Sequence, residues 1–74
     1  MNNQIYEKSE KGREEITTRK YQLASKLRTL LVMVDGIQTA DSLLKRVAPL
    51  GLTEANLSEL LAQEYIRPKP DSGN

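Results

Sequence analysis

The chain has 74 residues, a net charge of +1, no cysteine and no histidine. That length holds one domain near the lower limit at which a hydrophobic core suffices unaided, so self-association is the one supplement left to it. The missing residue types exclude disulfides, thiol chemistry, zinc held by sulfur or imidazole, and any nucleophile–imidazole pair.

Residues 1–12 are polar, mixed in charge and without an apolar stretch, which predicts a disordered arm and no signal peptide. The longest apolar run, residues 30–34, is far too short to span a bilayer, so a cytoplasmic protein with no membrane partner is expected. The folded domain is expected over residues 13–67.

Residues 13–24 carry two patterns at once. Ile16, Thr17, Thr18 and Tyr21 favour a short strand that would pair with residues 65–67, whereas Ile16, Leu23, Leu27 and Leu30 also fit a backward extension of the following helix. The strand is preferred.

Three helices follow. Leu23, Leu27, Leu30, Leu31 and Val34 lay one apolar stripe along a helix over residues 25–35, with Ser25 as its cap and Gly36 as its stop, since glycine enters the left-handed region without a Cβ penalty. Val32 and Met33 add apolar surface outside that stripe, which implies either packing by both neighbours or a patch at a homodimer interface. A second helix over 39–48 is signalled by Thr39 as cap, Asp41 in the first turn, apolar Ala40, Leu43, Leu44, Val47 and Ala48, and a stop at Pro49. A third over 53–64 is capped by Thr53, with Leu52 placed to pack on Leu57, and Leu60 and Leu61 continue its buried face. Residues 65–67 read as extended, and residues 68–74, with Pro68, Pro70 and Gly73, as a disordered tail.

The second and third helices, joined through Gly51, make a helix-turn-helix candidate. The stretch Leu30-Leu31-Val32-Met33-Val34-Asp35-Gly36, a threonine three residues on, two short helices and then Leu60-Leu61-Ala62-Gln63-Glu64-Tyr65-Ile66 resembles the pattern of small bacterial winged-helix-like domains. The peptide-binding chaperone of pyrroloquinoline-quinone biosynthesis is similar in this respect. The resemblance covers residues 16–67 and implies a mainly α, three-helix winged-helix-like core. The sequence departs from it at Glu64-Tyr65, where a glycine often precedes the terminal strand, and in having at most one strand before the first core helix.

In a DNA reader of this type the start and outer face of the last helix enter the major groove, here Thr53, Glu54, Ala55, Ser58, Glu59 and Ala62. That face bears two carboxylates and no cation, and phosphate neutralisation dominates non-specific affinity, so nucleic acid is disfavoured. A protein or peptide interaction module, of the kind that serves as a regulatory adaptor, is expected instead, with the partner at Thr17, Arg19 and Tyr21 along the strand edge, at Val32 and Met33, and at the acidic Glu54 and Glu59. The alternative is a DNA-binding regulator that contacts phosphates through Arg13, Arg19, Lys20, Lys26 and Arg28. Residues 1–34 hold seven cations against four acids and residues 35–66 two against five, a polarity able to orient either partner.

Catalysis and cofactor binding find no support. Glu14 and Glu15, neighbours in sequence, project in different directions from a helix or a strand, and the four glycines are scattered one per junction instead of forming a phosphate loop.

Overall fold

The computed structural model describes residues 3–69. In chain order they form β1 (Tyr6–Lys8), α1 (Glu10–Thr18), α2 (Ser25–Met33), α3 (Ala40–Val47), a 3₁₀ turn (Ala48–Leu50), α4 (Glu54–Ala62) and β2 (Ile66–Pro68). The chain is therefore mainly helical with a short two-stranded antiparallel sheet.

The core follows from the apolar stripes. Leu27, Leu30 and Leu31 of α2 with Val34 beyond it, Leu43 and Val47 of α3, and Leu57 and Leu60 of α4 are all buried, and Leu52, Tyr65 and Ile66 join them. Burying a leucine or valine side chain yields about 1.5–3 kcal/mol, so this cluster supplies the main driving force. Packing α2 against both α1 and α4 makes it the central helix.

Local signals set the boundaries of α3 and α4. The Thr39 hydroxyl accepts the Ser42 N–H at 3.2 Å, with Asp41 in the first turn and Lys45 and Arg46 in the last, each of the sign that the helix dipole favours. Pro49 then forces the chain into the 3₁₀ turn, and Gly51, at φ +82°, takes the left-handed residue that redirects it. A capping box opens α4, in which the Thr53 N–H donates to Asn56 Oδ1 at 2.9 Å.

The start of α2 differs from the expectation. Ala24 is its cap residue and contributes no side-chain bond, while Ser25 is the first helical residue and its carbonyl accepts the Thr29 hydroxyl. At the other end the helix stops at Met33, ahead of Gly36. The Asp35 carboxylate accepts the Ile37 and Gln38 N–H groups at 2.9 and 3.1 Å, which turns the chain and holds the Asp35 carboxyl below its usual pKa.

The largest correction lies before α2. Residues 13–18 are helix, not strand, and α1 is no extension of α2, because Arg19 (φ +56°) and Gln22 (φ +53°) break the chain between them. Ser9 caps α1, its Oγ accepting the Gly12 N–H at 3.1 Å, and this start outweighs the β preference of Ile16, Thr17 and Thr18. The strand that pairs with the C-terminal segment lies earlier, with register Tyr6↔Pro68, Glu7↔Arg67 and Lys8↔Ile66. On its other side Ile5 bridges Thr39, and the Ala40 N–H donates to the Gln4 carbonyl at 2.8 Å, so β1 is laced between β2 and the start of α3. Residues 3–12 are thus integral to the fold and not the expected disordered arm. Pro68 and Lys69 are likewise ordered, the Lys69 N–H donating to the Ile5 carbonyl at 2.8 Å. Residues 1–2 and 70–74 of the expected arm and tail lie outside the described residues.

Two features, one steric and one polar, fix α1 in place. A Cβ at Gly12 would stand 2.1 Å from the Tyr65 carbonyl oxygen, so only glycine lets α1 approach the segment entering β2 this closely. Glu15, wholly buried, accepts the Tyr21 N–H at 2.7 Å and the Leu23 N–H at 3.0 Å through its two carboxylate oxygens. A buried carboxylate is tolerated where such donors replace water, and here they clamp the turn between α1 and α2.

Candidate partner-binding surfaces

The outer face of α4 is built as the leucine spacing dictates. Leu57 and Leu60 point inward, and Thr53, Glu54, Ala55, Ser58, Glu59 and Ala62 are exposed. The Glu59 carboxylate accepts the Gln63 amide at 3.1 Å, and no cation stands on this face.

A second surface lies across α2. An open groove of about 380 Å³ is lined by Arg19, Ser25, Arg28, Thr29, Val32 and Met33. It joins residues expected for two different roles, the cations Arg19 and Arg28 and the apolar pair Val32 and Met33. Val32 is 50% exposed, whereas Met33 is half-buried against the core. Arg19 is held at the end of α1 in its left-handed conformation, with its backbone N–H on the Glu15 carbonyl at 2.8 Å. Arg28 donates from Nη2 to the Ile16 carbonyl at 2.7 Å, a cation at the C-terminal end of a helix, and its Nε is buried without a hydrogen-bond partner.

The remaining predicted residues are dispersed. Thr17 sits exposed in the last turn of α1, with no strand edge on which to act. Tyr21 lies in the following turn, 40% exposed, its hydroxyl donating to Glu14 at 3.1 Å; that bond, ahead of burial and charge, raises its pKa. Glu14 and Glu15 do diverge, the first to the surface and the second into the interior. Lys20 pairs with Glu14 at 3.7 Å, Lys26 reaches toward the Gly51 turn, and Arg13 projects from α1, away from the groove. Glu54 and Glu59 do not line the groove either.

Several cations near the two ends of the chain serve the fold. Lys8 Nζ donates to the Val34 carbonyl, Lys69 Nζ to Gly36 at 2.8 Å and Lys11 Nζ to Gln63 at 2.7 Å, each satisfying a carbonyl at or beyond a helix end. Lys11 also stands over the rings of Tyr65 and Tyr21, 4.5 and 5.1 Å from their centroids, and those rings meet edge to face at 5.9 Å. Burial, then the charge of Glu15, raises the Tyr65 pKa. Among the described residues, the side chains of Arg13, Arg19 and Lys26 have neither hydrogen bond nor ion pair.

The sequence did not single out Glu15, Gly12, Ser25 as a groove residue, or Thr29. A glycine inside a helical stretch was the one available signal for Gly12; Glu15 looks like any surface glutamate until the turn that brings the Tyr21 and Leu23 N–H groups onto it is known.

No helix among the described residues is long and apolar enough to cross a membrane, and no three His, Cys, Asp or Glu side chains gather there in a metal-binding arrangement. No family model, curated protein or solved structure shows a significant match to the chain.

Proposed function

We propose that the chain is a non-enzymatic interaction module, winged-helix-like in architecture, that binds a protein or peptide. The observation that carries this is the exposed outer face of α4, which holds Glu54 and Glu59 and no cation. A recognition helix facing phosphates with two carboxylates begins from repulsion, whereas the same face is unremarkable at the rim of a protein complex.

The winged-helix likeness draws support from the α3–Gly51–α4 pair and from a sheet at the C-terminal end of α4. In place of a strand just before the core helices, β1 reaches the sheet from the far side of an additional helix, α1.

The test is fluorescence anisotropy of a labelled random 20-base-pair duplex with the full chain at low and at physiological salt. The expected result is no saturable binding at micromolar protein in either buffer. Tight binding that falls steeply with salt would instead establish the DNA-binding regulator, with Arg13, Arg19 and Lys26 as its phosphate contacts.

A further inference from the structure

Deepening the proposal above, and resting on it, we infer that the groove across α2 is the partner site and that its occupant is an acidic peptide segment carrying an aliphatic side chain. Charge complementarity supports this. Two guanidinium groups, Arg19 and Arg28, and two hydroxyl residues, Ser25 and Thr29, line the groove, and among the described residues no carboxylate does.

The uncapped N-terminal turn of α2 borders the same groove, with no acidic residue in it to offset the helix dipole. Arginine forks match carboxylates in two parallel hydrogen bonds, and Arg19 is unengaged while Arg28 uses one nitrogen on Ile16. The apolar side separates peptide from nucleic acid. Half-exposed Val32 and half-buried Met33 offer a contact for a leucine- or isoleucine-like side chain, and a phosphodiester backbone has no such group to place there. At about 380 Å³ the groove lies within the usual range of about 300–1,000 Å³ for ligand sites and takes a few side chains, not a folded domain. Arg19 is presented by the turn that Glu15 clamps, so the groove wall is set before a partner arrives.

The test is two-dimensional NMR of the ¹⁵N-labelled full chain, titrated separately with an eight-residue peptide alternating glutamate and leucine, with the same peptide carrying lysine for glutamate, and with a random duplex. Saturable shifts are expected at Arg19, Ser25 and Arg28 through Met33 with the acidic peptide alone. Arg19→Asn, chosen because asparagine tolerates the left-handed backbone, should weaken that binding about tenfold, and Val32→Ser about threefold to fivefold, with both variants keeping the dispersed spectrum of the folded chain.

No shifts with the acidic peptide, or shifts that map elsewhere and ignore Arg19→Asn, would overturn the groove and leave the interaction-module proposal standing. Equal binding of the lysine peptide would overturn the acidic chemistry. Concentration-dependent shifts in the groove without any peptide would replace the peptide by a second copy of the chain. Saturable shifts with the duplex would overturn the interaction-module proposal itself.

Discussion

Two glycines in helix-linked positions mark how differently the two ends of the chain are held. Gly51, between α3 and α4, is needed for its backbone angle: at φ +82° it turns the chain, and a Cβ there would meet only the tip of Lys26 at 3.7 Å. Gly12, inside α1, is needed for its lack of volume, since a Cβ would stand 2.1 Å from the Tyr65 carbonyl oxygen. The α3–α4 unit is thus specified by its own turn and caps, while the pairing of β1 and the close approach of α1 to the segment entering β2 depend on groups more than 50 residues away in sequence. Local instruction makes a region robust and readable; distant instruction makes it depend on the rest of the molecule being folded.

Substitutions sharpen this contrast. Gly12→Ala should cost the most, about 3 kcal/mol or more, because backbone and not a flexible side chain must give way. Urea denaturation would show the loss, and a midpoint equal to that of the parent would break the comparison. Gly51→Ala should cost less, about 1–2 kcal/mol, the penalty of a left-handed backbone in open space. Glu64→Gly runs the other way. Glu64 sits at φ +66° just before the sheet, and glycine there should stabilise the chain by up to about 1 kcal/mol, read as a raised midpoint without a change of slope.

Legibility in the sequence divides along the same line. Thr39, Thr53, Pro49 and Gly51 placed α3 and α4 to within two residues of their ends, and the spacing of Leu57 and Leu60 gave α4 its inner and outer faces. The departure at Glu64 was also visible: a glycine belongs at that point, and the structure puts a left-handed residue there. Residues 13–24 misled because Ile16, Thr17 and Thr18 favour strands by themselves, whereas a cap at Ser9 and burial of Glu15 decide for helix. β1 was missed for a similar reason. Three residues with mixed charge carry no periodicity, and only their pairing with Ile66–Pro68 makes them a strand. The groove was legible in its parts, since Arg19, Arg28, Val32 and Met33 had each been singled out, but not as a whole. Their meeting requires α1 to end at Thr18 and the next six residues to turn back under the hold of Glu15.

That hold underlies both the fold of the N-terminal region and the wall of the groove, and amide hydrogen exchange at Tyr21 and Leu23 measures it directly. With both N–H groups donating to a buried carboxylate, they should be strongly protected in the parent chain, and protection at both should fall at least about tenfold in Glu15→Gln, where an amide offers only one accepting oxygen. Exchange at the rate of an unstructured peptide in the parent chain, or protection unchanged by the substitution, would contradict the account.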